Sequence, residues 1–132
     1  MKRALLGLAG AAALLAARPA ASHHAFSAEF DINKPVQLTG TVTKLEWTNP
    51  HAWIFMDAKS DDGSVASWAV ELVGINDLLR LGWGRNKVKQ GDVIAVDGFA
   101  ARNGTNTANA ASVTLTSTGE LVWASVRRSD SD

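Results

Sequence analysis

Three histidines carry the clearest ligand chemistry in this 132-residue chain, which contains no cysteine. The missing cysteines exclude disulfides, thiolate metal ligands and cysteine nucleophiles together. His23 and His24 follow the small residues Ala20-Ala21-Ser22, where an export peptidase would cut. A cut after Ser22 makes His23 the first residue, offering its α-amine and a ring nitrogen to one metal ion. A cut after Ala21 leaves Ser22-His23-His24, in which the amine, two backbone amides and the His24 ring form a square-planar nitrogen set. Nitrogen-rich tetragonal sites favour Cu(II) or Ni(II), and Cu(II) is the expected ion. No other cofactor is expected. His51 supplies a further ligand if the N-terminal arm folds back over the first hairpin. The competing reading makes His23 and His24 solvated tail residues and His51 a corner residue held by hydrogen bonding.

The other side chains point to binding rather than to catalysis. Five tryptophans are present, and Trp47 and Trp53 flank the corner Thr48-Asn49-Pro50. Between them and a short helix there is room for a small apolar or sugar ligand, although packing of the core and corners also accounts for large aromatics. Asp61-Asp62 sits at a turn, where aspartate is common. Glu46 and Glu71 fall on strands and are expected to form exposed cross-strand ion pairs. The serines lack a nucleophile-elbow context, and no phosphate-binding glycine loop occurs. The chain is not expected to be an enzyme.

The elements that must position these residues are strands. Pro35 opens the first, where its missing N–H costs little. Val36, Leu38 and Val42 share one parity and Leu45 and Trp47 the other, so a bulge is predicted near Thr43-Lys44. The second strand, about 51–58, is apolar on both parities and is predicted to be buried on both sides. A turn at Ser60–Ser64, with Gly63 free to take a positive φ, leads to a third strand over 65–72. Asn76 is the predicted cap of a short helix carrying Leu78, Leu79 and Leu81, with Gly82 as its stop. Residues 83–88 read as a connector. A fourth strand follows over 93–101, with Val93, Ala95 and Phe99 inward, then a fifth over 108–116 and a short sixth around 121–123. Phe26 and Phe30, spaced i, i+4, allow a helical turn over 25–30. Three strands, a helix and two strands with an added edge piece is the succession of an all-β, five- to six-stranded OB-type barrel.

Met1-Lys2-Arg3, the Ala/Leu/Gly run from Ala4 to Ala17 and the small residues after it have the layout of a secretory leader. The apolar run falls short of the ~20 residues a membrane-spanning helix needs. The expected organisation is therefore a leader over 1–22, an arm over 23–34, one β-barrel domain over 35–126 and a loose tail over 127–132. The mature chain would be periplasmic or secreted, with no stable membrane anchor after cleavage. Loss of Lys2, Arg3 and Arg18 leaves ten basic against thirteen acidic residues, a net charge of −3. That balance argues against nucleic acid as a partner, since its binders carry a basic face. A small ligand or another exported protein fits better.

The segments His-His-Ala-Phe-Ser-Ala-Glu-Phe-Asp (23–31), Gly-Thr-Val-Thr-Lys-Leu-Glu-Trp-Thr-Asn-Pro-His-Ala-Trp (40–53) and Gly-Thr-Asn-Thr-Ala-Asn-Ala (104–110) resemble a family of small exported bacterial proteins. That family is classed as a domain of unknown function. The resemblance covers nearly the whole mature chain and implies bacterial export and a single small β-domain. It brings no activity and no catalytic residues. More distantly, the chain is similar to other exported single OB-type domains.

Overall fold

A computed structural model describes residues 26–125, in which six strands and one short helix form a closed sheet. The expected leader, His23, His24 and the expected tail fall outside the described residues. After a helical turn over 26–29 come β1 (Phe30–Glu46), β2 (Trp53–Lys59), β3 (Val65–Glu71), α1 (Ile75–Arg80), β4 (Val93–Ala101), β5 (Thr107–Leu115) and β6 (Glu120–Ala124). The strand order is β3-β2-β1-β4-β5-β6, and a parallel pairing of β3 with β5 closes the ring.

β1 organises the sheet because it pairs with both β2 and β4. Gly40 is paired on both sides, opposite Ala58 and Ile94. A Cβ there would collide with the Asp57 carbonyl oxygen and would lie 2.7 Å from the Ala58 Cα. Only glycine lets the strand coil this tightly against its neighbour. The expected bulge is present, as the β1–β2 register shifts between Val42 and Lys44. It moves the inward parity from Leu38 and Val42 to Leu45, which packs on the core together with Trp47.

β1 starts at Phe30, five residues before the proline expected to open it. Phe30 is buried, and the Arg102 N–H donates to the Glu29 carbonyl, so the chain is stitched to β4 from the outset. Pro35 is tolerated inside the strand because β2 joins only at Gly40, leaving one flank of β1 free at the proline.

Three further expectations are corrected. β2 buries one parity only: Ile54, Met56 and Ala58 point inward, while Trp53, Phe55 and Asp57 stand half-buried on the outside. In β4 the inward residues are Ile94 and Val96, whereas Val93 is exposed. Val93–Val96 is apolar on both parities, so the β1 register, Leu38 opposite Val96 and Gly40 opposite Ile94, selects which one faces in. The connector 83–88 contributes to the core, with Trp83 and Val88 fully buried beneath the barrel alongside Leu78 of α1.

Candidate functional site

The corner between β1 and β2 is a clamp built from its own polar residues. The Thr48 hydroxyl donates to the His51 carbonyl at 2.8 Å. The Asn49 side-chain Oδ1 accepts the Ile75 N–H at 2.9 Å, so a residue 26 positions away caps α1. This replaces the expected Asn76 cap: the N-cap residue is Gly74, which has no side chain to do it. Gly74 is also needed sterically, since a Cβ there would sit 2.7 Å from the Pro50 carbonyl oxygen. Ala52 then hydrogen-bonds with Val73 and Leu72 through its own backbone groups. The Asn49–Pro50 peptide is cis. These contacts hold the corner against the exit of β3 and bring His51 to Glu71.

Glu71 is the one buried charged side chain among the described residues. The Asn109 amide donates to its Oε1 at 3.2 Å, and the His51 Nδ1 stands 3.7 Å from the same oxygen. Burial raises the Glu71 carboxyl above its ordinary value, and the charge of Glu29 pushes the same way, against the opposing pull of His51 and Asn109. The His51 side chain is 50 % exposed. With Nδ1 turned to a buried carboxylate, Nε2 is the nitrogen left for a ligand. A metal-bound imidazole is ordinarily oriented in this way by a carboxylate behind it.

The carboxylates expected as exposed ion pairs divide. Glu46 does form an exposed ion pair, at 2.7 Å, but with Lys44 two residues away on the same strand rather than across strands. Glu71 does not belong to such a pair, because β5 runs beside β3 and covers it, with Asn109 directly opposite.

Trp47 and Trp53 also part company. The Trp47 ring meets that of buried Trp83, centroids 6.5 Å apart, and packs on the core. Trp53 instead lines an outer recess of about 480 Å3 with Glu29, Phe30, Arg102, Asn103 and Thr107. Trp47 is not part of that recess.

His23 and His24 lie outside the described residues; the arm is described from Phe26 onward. The Phe26 ring meets Phe30 at 5.7 Å and Phe99 at 6.5 Å. Phe99 pairs with Asn109, the residue bonded to Glu71. Arg102 fastens the same segment, its Nε donating to the Ser27 carbonyl at 2.6 Å. Among the described residues, no three acidic or histidine side chains group closely enough to hold a metal by themselves.

A closed barrel in which β1 pairs with β2 and β4, β3 meets β5, and a helix joins β3 to β4 is an OB-type fold. Residues 12–110 match a family described as a family of unknown function (DUF6152), and the chain belongs to that family. No curated protein matches the sequence. Among solved structures, the chain is similar to the mitochondrial single-stranded DNA-binding protein Rim1 of S. cerevisiae. The identity is 12 %, the TM-score 0.49, and the match covers 63 % of this chain and 93 % of that one.

Proposed function

We propose that this protein is an exported, non-catalytic binding domain that holds Cu(II) at the outer end of its first hairpin. The N-terminal amine with His23 or His24 supplies most of the nitrogen ligands, and His51 adds its Nε2. The observation that carries this reading is the His51–Glu71 arrangement: a half-exposed imidazole whose Nδ1 faces a buried, amide-held carboxylate. The route of the arm supports it, since Phe26 lies on Phe99, the strand partner of Asn109. His24 is two positions from Phe26, at most ~7 Å of extended chain. Export to the periplasm or beyond rests on the leader-like residues 1–22.

Intact mass of the exported protein locates the mature N-terminus, and Cu(II) titration then tests the site. One equivalent should bind at least tenfold more tightly to the mature protein than to its His23→Ala/His24→Ala variant, about 1.4 kcal/mol or more. Equal affinities would leave a metal-free module for a small ligand or an exported partner as the better reading.

A further inference from the structure

Two recesses indent the barrel surface beside β2 and the β4–β5 loop. The first, of about 480 Å3, has Trp53 with Glu29, Arg102, Asn103 and Thr107 around it. The second, of about 410 Å3, is lined by Thr43, Phe55, Ser67, Thr105, Asn106 and Thr107. Thr107 at the start of β5 lines both. The β4–β5 loop also borders both, through Arg102 and Asn103 at the first and Thr105 and Asn106 at the second, so the two adjoin there as a trough. Trp53 and Phe55 are two apart on β2 and therefore project from the same side of it. We propose that this trough binds a neutral oligosaccharide, with Trp53 as the stacking platform.

The lining chemistry selects that class of ligand. A pyranose presents an apolar C–H face to an aromatic ring and hydroxyls around its edge. The trough offers the Trp53 indole, with a second, Trp68, packed partly against the core, then hydroxyls of Thr43, Ser67, Thr105 and Thr107 and amides of Asn103 and Asn106. Ser67 already donates to Asp57 and Thr105 to Asn103, which leaves their oxygens as acceptors. Phe55 is the lesser platform because the Lys44 ammonium lies 5.5 Å from its ring centre. Both recesses are open to solvent rather than enclosed, which suits an extended chain lying along the surface better than a compact molecule that needs burial.

Charge argues against the other polymer that OB-type faces accept. A nucleic acid needs unpaired cations along its path. Arg102 is occupied by the Ser27 carbonyl at 2.6 Å and stands 3.7 Å from Asp31, and Lys44 is bound to Glu46 at 2.7 Å. Glu29 adds a further negative charge at the rim. A polyanion would meet carboxylates here, whereas a neutral glycan can use the same groups as hydrogen-bond acceptors.

The test uses the mature protein with cellotetraose, tetra-N-acetylchitotetraose, maltotetraose and an eight-nucleotide thymidylate, followed by calorimetry and amide chemical-shift mapping. At least one tetrasaccharide should bind and shift the amides of Trp53, Phe55 and Arg102–Thr107. Trp53→Ala should weaken that binding by about tenfold or more, and Trp53→Phe by less, because a smaller ring remains. The variant spectra report whether the barrel is intact, and the shift map on the unaltered protein stands without them. No binding by any tetrasaccharide at roughly 10 mM, a concentration that detects even millimolar affinities, would overturn the proposal. So would shifts confined to other surfaces, or tighter binding of the thymidylate along the trough. The His23→Ala/His24→Ala variant should bind sugar unchanged, which keeps this test separate from that of the metal site.

Discussion

Replacing Asn49 with alanine tests whether the β1–β2 corner is a clamp rather than a simple turn. The side chain is exposed, so its removal opens no cavity. What is lost is the 2.9 Å hydrogen bond from the Ile75 N–H, one of the free donors at the start of a six-residue helix. Loss of a cap of this kind costs about 1 kcal/mol, within a range of ~0.5–2. For a domain of this size, a loss of 1 kcal/mol lowers the melting temperature by roughly 4–8 °C. Urea denaturation should therefore show a lower midpoint with an unchanged slope. Asn49→Asp should recover most of the loss, because it keeps an acceptor and places a negative charge at a helix N-terminus. The His51 ring resonances should move in Asn49→Ala, since the same corner holds His51 beside Glu71. A change below about 0.3 kcal/mol together with unmoved His51 resonances would refute the clamp, being within ordinary surface variation.

Glu71 makes stability depend on pH. Its raised folded-state value means that the native protein keeps a proton which the unfolded chain has already released. Stability should therefore fall as pH climbs from the ordinary glutamate range near 4.5 through the raised value, and Glu71→Gln should flatten that slope in pH-dependent urea melts. Glu71→Ala should instead destabilise at every pH, by about 1–3 kcal/mol, by leaving the Asn109 amide without its acceptor. Gly40→Ala should cost about 3 kcal/mol or more, or prevent folding, through its collision with β2 backbone; circular dichroism and soluble yield check this. Neighbouring leucines of α1 should differ sharply in thermal melts. Leu78→Ala should cost about 2–5 kcal/mol, and Leu79→Ala about 0.5 kcal/mol or less, because Leu78 is fully buried and Leu79 is 54 % exposed.

Much of the barrel is legible in the chain because it rests on local signals. The parity switch after Val42 marks the bulge, Ser60–Ser64 marks a hairpin, and Gly63 there takes φ +86° as its turn requires. Where a segment is apolar on both parities, as in Val93–Val96, the pattern is silent and the partner strand decides. Trp83 reads as a connector residue because its burial comes from packing under a closed barrel, with no period to announce it. The site is less legible for the same reason. Asn49 caps a helix 26 residues on, and Glu71 is buried by Asn109, 38 residues on, through a parallel pairing that exists only once the ring closes. His51 stands out as chemistry by its residue type alone. That its Nδ1 faces a buried carboxylate is a tertiary fact.

Pulsed EPR of the mature protein loaded with one equivalent of Cu(II) counts the imidazoles bound to the ion and so tests whether His51 is a ligand. The signal should be nitrogen-rich and tetragonal with at least two imidazoles, one of which disappears in His51→Ala while Glu71→Gln alters its coupling. An identical spectrum in the unaltered protein and in His51→Ala would contradict His51 as a ligand.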